Sequence, residues 1–261
     1  MKRRRFLTST LIVGGTAMLP EVSSAAAAEQ GTRQILVLKT YRLKTGKEQL
    51  FEAHVEHALV PSLNRLGVKA VGAYREQLAQ PGPAVYYLLA PYDSAEQWST
   101  VSIALNGDSE YQRAGASYLA AQATDPVYER IETSVLRAFE TMPKVEKPSG
   151  KPQVYNLRIY ESHNEAAGQK KIEMFNQGEI AIFRRVGLNP VFFGEALAGP
   201  QMPNLTYMLA FENDKARTDA WNTFRADPEW LKLRAVPEYE DKRIVSGIRN
   251  ILLSPLGCSQ I

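Results

Sequence analysis

The chain has 261 residues, a formal net charge of +3, 44% hydrophobic and 23% charged residues, and one cysteine. Its length suits one domain or two of about 100 residues each, and a lone Cys258 excludes an internal disulfide. Lys2, Arg3, Arg4, Arg5 and Glu21 account for the whole of the net charge. The remainder is near neutral, which excludes the electrostatic footprint of a nucleic-acid binder.

In chain order, residues 1–28 read as an export signal. A basic cluster precedes the apolar run Phe6 to Leu19, and the small residues Ser23 to Ala28 offer cleavage sites before Glu29. Arg3-Arg4 followed by Phe6-Leu7 resembles the twin-arginine type, with an arginine-rich Sec signal as the alternative. Either implies a bacterial periplasmic or secreted protein. The apolar run is too short to span a bilayer, and no later segment is apolar enough.

Residues 33–143 then alternate in period. A strand is predicted over Ile35 to Arg42, and a helix over Lys47 to Leu66. That helix carries Leu50, Phe51, Val55, Ala58, Leu59, Leu63 and Leu66 on one stripe. Gly67 ends it and Pro61 bends it. Strands follow at Val68 to Gln77 and Ala84 to Leu89, then a helical region from Ser94 to about Gln122 interrupted near Asn106-Gly107, then a last strand at Val127 to Phe139. Residues 144–152, within KVEKPSGKPQ, read as a linker. Residues 153–255 repeat the order, with Asp227-Pro228-Glu229 as a helix start.

The halves also match in sequence. Tyr41 meets Tyr160, Leu66-Gly67 meets Val186-Gly187, YYLLA from Tyr86 meets TYMLA from Thr206, and GDSEY from Gly107 meets ADPEW from Ala226. SVLRAFETMP, ending at Pro143, meets SGIRNILLSP, ending at Pro255, and five such matches in order indicate an internal duplication. The expected fold is therefore α+β: two tandem ferredoxin-like βαββαβ modules that bury their open sheet faces against each other in a closed or nearly closed barrel.

These residues resemble the NIPSNAP family. The resemblance runs through the tyrosine-bearing first strand, the turn Leu43 to Lys47, the helix segment His57 to Gly67 and the strand leading into Ala90-Pro91-Tyr92, with LRIYES, RRVGLNPVFFGE and ADPEW in the second half. It implies a dimeric α/β-barrel fold. It also implies a binding or scaffold protein, the wider superfamily adding monooxygenases and haem-linked enzymes.

No nucleophile, phosphate-loop or metal signature is present. His54 and His57 lie three apart on the first helix, either as hydrogen-bonded residues at the core edge or, with Glu56, as ligands. His163 falls in a polar turn. Alternation along the first strand of each half puts Lys39, Tyr41, Arg158 and Tyr160 on one face, which we assign to the barrel interior. There they either hold an acidic ligand or pair with Glu76, Glu132 or Glu195. Tyr87 and Tyr207 occupy matched positions and complete the candidate set with His57. Trp98, Tyr111, Trp221 and Trp230 read as core anchors, and Cys258 as part of a frayed tail. No cofactor is implied beyond haem as an alternative. The expected activity is binding of a small organic ligand or a partner protein, with homo-oligomerisation or a barrel-type enzyme using His57 as further readings.

Overall fold

A computed structural model describes residues 32–261; the export-signal reading of residues 1–28 lies outside them. The first half runs β1 (Ile35–Leu43), α1 (Glu48–His54), a π-helical turn (Val55–Leu59), α2 (Val60–Arg65), β2 (Gly72–Glu76), β3 (Val85–Tyr92), α3 (Ala95–Gly107), α4 (Ser109–Ala114), α5 (Ala116–Leu119) and β4 (Tyr128–Ala138). The second runs β5 (Val154–Glu161), α6 (Glu165–Met174), a π-helical turn (Phe175–Glu179), α7 (Ile180–Arg185), β6 (Asn189–Ala198), β7 (Asn204–Phe211), α8 (Asp214–Ala226), α9 (Pro228–Arg234), a 3-10 turn (Pro237–Tyr239), α10 (Asp241–Ile244) and β8 (Gly247–Pro255).

The eight strands close into an antiparallel barrel in the order β1-β3-β2-β8-β5-β7-β6-β4. Each half contributes four strands in the same internal order, fourth-first-third-second. Two seams join them. Along one, Tyr74 of β2 lies opposite Pro255 of β8; along the other, Ala138 of β4 lies opposite Gly194 of β6. A Cβ at Gly194 would sit 2.8 Å from the Cβ of Leu136, so only glycine lets this seam close. Closure leaves no open sheet edge for another chain to pair with.

The barrel interior is a packed core of Leu36, Leu38, Tyr74, Leu89, Leu136, Tyr155, Leu157, Phe192 and Met208. Only a void of about 20 Å³ remains at one end, beside Tyr87, Glu132 and Arg249. Val37 and Tyr41 lie instead among the helices of the first half, and Tyr160 and Tyr207 among those of the second. The interior assignment of Lys39, Tyr41, Arg158 and Tyr160 is thus reversed. Both faces of these strands are buried, one by the barrel and one by helices, so alternation alone carries no label for inside. The pairing of Tyr87 with Tyr207 is also out by one residue. Lys39 lies opposite Leu88 and Arg158 opposite Tyr207, which makes Leu88 the counterpart of Tyr207 and leaves Tyr87 inside the barrel.

Local sequence explains the helix ends. Ser94, Asn164 and Asn213 cap α3, α6 and α8 through their side chains. Asp108 and Asp227 cap α4 and α9. Gly67 and Gly187 follow α2 and α7 with φ of +88° and +83°, the left-handed stop that glycine accepts without cost from a Cβ. The bend expected from Pro61 is taken up in the π-helical turn just before it. The same turn recurs at Phe175–Glu179 ahead of Ala181, so proline is not its cause. The tail is not frayed: Leu256 N and Gln260 N donate to the carbonyls of Ala73 and Val71, and Cys258 packs against the first-half core. Among the described residues, no helix is long and apolar enough to cross a membrane.

Candidate functional site

Between the first-half sheet and its helices lies a cavity of about 370 Å³. Val37, Lys39 and Tyr41 of β1, together with Leu88, Ala90 and Tyr92 of β3, form its floor. His54, Leu59 and Leu63 wall one side. Trp98, Ser102 and Leu105 of α3, with Tyr111 and Tyr118, close the other. A cavity of this size, largely apolar with a few polar groups converging on it, has the form of a small-molecule site.

His54 is the deepest polar group. Its ring stacks on Tyr118 at 3.8 Å between centroids with 12° between planes, and its Nε2 lies 3.5 Å from the Tyr111 hydroxyl. Its Nδ1 is buried with no hydrogen-bond partner. A Cβ on Gly115 would come within 3.1 Å of that nitrogen, so the absence of a side chain there makes room for the ring. Burial lowers the His54 pKa to about 4, and the imidazole is neutral at neutral pH. Burial, reinforced by neighbouring phenols, raises the pKa of Tyr41 and Tyr118 above the ordinary range; burial alone raises that of Tyr111. All three therefore stay protonated, as donors.

Lys39 is the only cation lining this cavity. It keeps access to solvent at the mouth, yet the protein around it lowers its pKa by desolvation. It makes no hydrogen bond or ion pair among the described residues, and the expected carboxylates are engaged elsewhere or do not reach it. Glu76 accepts from the Tyr87 hydroxyl at 2.9 Å inside the barrel, and Glu195 accepts from Arg137 Nη2 at 2.6 Å.

The matching space in the second half is filled. Strand register and the two π-helical turns set the correspondences: Ala73 with Phe193, Leu88 with Tyr207, Leu63 with Phe183, Ser102 with Trp221, Leu105 with Phe224 and Tyr111 with Trp230. At all six places the second half has the larger side chain, and its six rings form one buried cluster. Arg158, in the place of Lys39, is tied down. It donates to the Tyr160 hydroxyl at 3.1 Å and to Asn250 Oδ1 at 3.1 Å, and lies 4.8 Å from the Trp221 ring centroid. Lys171 and Glu179, where the first half has Phe51 and Leu59, form a buried ion pair at 3.2 Å.

The structure therefore brings Lys39 and Tyr41 together in one cavity, gathers Arg158, Tyr160 and Tyr207 into a filled cluster, and places Tyr87 apart from both. His57 is exposed, as is His163. The reason His54 and not His57 faces inward is the π-helical turn. One extra residue rotates everything downstream by about 100° and brings the apolar stripe round to His54. Sequence reasoning passed over Ser102, Tyr111 and Tyr118 as site residues. For Ser102 and Tyr111 a signal was present in the aligned repeat, as smaller polar residues set against Trp221 and Trp230; Tyr118 carried none. Among the described residues no group of three or more His, Cys, Asp or Glu is placed to hold a metal ion. A wider groove of about 710 Å³ runs beneath the linker residues 146–152. It is open, its Arg184 and Glu146 satisfy each other at 2.7 Å, and its Lys147 and Lys151 are exposed on the linker.

A closed antiparallel α+β barrel with a cavity between sheet and helices is the class of protein these features define. Within it, residues 155–260 match the NIPSNAP family model. A Fusobacterium nucleatum protein provisionally assigned as a monooxygenase superposes with a TM-score of 0.60 at 11% identity, covering 86% of this chain and 93% of its own. A Lactobacillus acidophilus protein with the same provisional assignment gives 0.58 at 10% identity, with 85% and 94% covered. An uncharacterized NIPSNAP-like domain protein from Burkholderia xenovorans is 18% identical over 41% of this chain and 89% of its own, with a TM-score of 0.37. No curated protein matches the chain. At these identities the likeness speaks for the fold alone.

Proposed function

We propose that this protein binds a small, largely apolar organic molecule in the first-half cavity and is exported to the periplasm to do so. The supporting observation is the contrast at matched positions: where the second half fills its interior with aromatic rings, the first leaves about 370 Å³ lined by an unpaired lysine, a neutral histidine and protonated phenols. Smaller residues at six matched places open a space that the same backbone can close, and the lysine at its mouth has no partner among the described residues.

In this reading residues 33–143 and 153–255 are tandem ferredoxin-like modules joined by the linker 144–152. The repeated element order and repeated strand order support it. The arginine-rich start, apolar run and alanine-rich stretch of residues 1–28 support twin-arginine export. Lys39, Tyr41, His54, Tyr111 and Tyr118 hold the ligand. Tyr87, Arg158, Tyr160 and Tyr207 serve the fold, and His57 stays outside the site.

Thermal-shift screening of the purified chain against small organic acids, alcohols and quinones tests this reading. Hits should raise Tm in the wild type and fail to do so in Ser102→Trp, which imports the second-half residue into the cavity. Equal shifts in both proteins would place binding elsewhere.

A further inference from the structure

The second half shows what shape fits the first. Trp221 stands where the first half has Ser102, and its indole occupies the layer between sheet and helix, 4.8 Å from the guanidinium carbon of Arg158. Its Nε1 donates to Asn156 Oδ1 at 3.3 Å. Ser102, by contrast, turns its hydroxyl back to the Trp98 carbonyl at 2.7 Å and contributes little volume. Asn156 corresponds to Val37 by its place on the strand, so the first half lacks that polar partner for an indole nitrogen. What the first half keeps is the cation, with no partner among the described residues, beside a space of about 370 Å³ that takes in the place of the missing ring system.

We propose that the first-half cavity takes a planar aromatic monoanion of about two fused rings, its ring system lying where Trp221 lies in the second half and its carboxylate or phenolate meeting Lys39. This deepens the binding reading above and rests on it. Flat neighbours favour a flat guest: the His54 and Tyr118 rings, stacked on each other, and the Trp98 indole line the space, and aromatic pairs gain from offset or edge contacts beyond the area they bury. Charge selects further. Among the described residues Lys39 is the one cation lining the cavity and no carboxylate lines it, and the protonated phenols can donate to an anionic oxygen but offer nothing to attract a second cation.

Calorimetric titration of the purified chain with 2-naphthoate, its neutral isostere 2-naphthamide and the flexible acid decanoate tests the proposal. Naphthoate should bind, naphthamide about tenfold more weakly, since a charge-assisted contact is lost. Decanoate should also bind more weakly than naphthoate. Lys39→Met, a change at the exposed mouth, should lower naphthoate to about the naphthamide level and weaken naphthamide far less. Ser102→Trp, checked for native circular dichroism, should remove all three. Equal affinity for acid and amide, unchanged in Lys39→Met, would overturn the charge assignment while leaving binding in the cavity intact. Decanoate binding as tightly as naphthoate would overturn the aromatic one. Binding of none of the three, together with no hit in the thermal screen, would remove the binding reading itself.

Discussion

The two halves of this barrel share a backbone plan and differ in what they do with the space between sheet and helix. The second half fills it with Trp221, Trp230, Phe175, Phe183, Phe193, Phe224 and Tyr207 and buries a lysine and a glutamate among them. The first half leaves it open around Lys39, His54 and Tyr111. In the proposed reading, one of two duplicated halves keeps a site for a ligand and the other holds the barrel together. The half that matches the NIPSNAP family model is the filled one, so the cavity belongs to the half with the weaker family signal.

The largest expected effect tests how the filled half is held. Lys171 Nζ lies 3.2 Å from Glu179 and 3.7 Å from Asp241, with the Phe175 ring centroid at 5.0 Å. Burial works against its charge, and Glu179, Tyr160 and Asp241 more than offset that, so its pKa is raised. Lys171→Met strands the buried Glu179 and should cost about 3–5 kcal/mol in urea unfolding. The double change Lys171→Phe with Glu179→Leu installs the first-half pair, Phe51 and Leu59. It should return stability to the wild-type value or above it, because a buried ion pair is often matched by a well-packed apolar one. A double variant as weak as the single one would show that the second half needs the charges themselves.

Next comes the acid response of the open half. Burial pushes the His54 pKa in the folded protein down to about 4, against an ordinary histidine value of 6.5. Below pH 6.5 the unfolded chain takes up a proton that the folded chain refuses. Stability therefore falls as pH drops through this window, and the loss is complete below about pH 4. The gap corresponds to about 3 kcal/mol. His54→Met places the second-half residue, Met174, at that position. Unfolding measured between pH 7 and 4 should show a flatter decline in the variant than in the wild type. Parallel declines would mean that the folded protein admits the proton after all.

Much of this plan was legible in the sequence. The repeat, the order of elements, the glycine stops after Leu66 and Val186, and the cap at Asp227 follow from local patterns, and those patterns act over a few residues. The face of β1 and β5 was not legible, because a strand buried on both sides looks apolar in either register. The π-helical turn was not legible either. Val55–Leu59 contains nothing that marks an inserted residue, yet that residue decides whether His54 or His57 reaches the site. Cys258 was read as loose because it lies near Ile261, whereas backbone bonds from Leu256 and Gln260 to β2 hold the tail. The cavity itself could be read only by aligning the halves position by position and comparing volumes. One wrong step in β3, pairing Tyr87 with Tyr207 in place of Leu88, hides one of the six substitutions that open it.

The smallest effect on stability separates the two cations most cleanly. Arg158 bonds to the Tyr160 hydroxyl and to Asn250, and Tyr160 in turn accepts from Tyr207 at 3.0 Å. Arg158→Met removes the donor from two oxygens in a partly buried network and should destabilise by about 1.5–3 kcal/mol. Lys39 has no such partner, and desolvation already lowers its pKa, so the folded state gains nothing from its charge. Lys39→Met should change stability by no more than about 0.5 kcal/mol, and toward greater stability. Matched residues on one strand plan would then have opposite dispositions, one cation serving the fold and the other left free for a ligand. If the two substitutions prove equally costly, Lys39 has a structural partner, and the asymmetry between the halves ends at their aromatic rings.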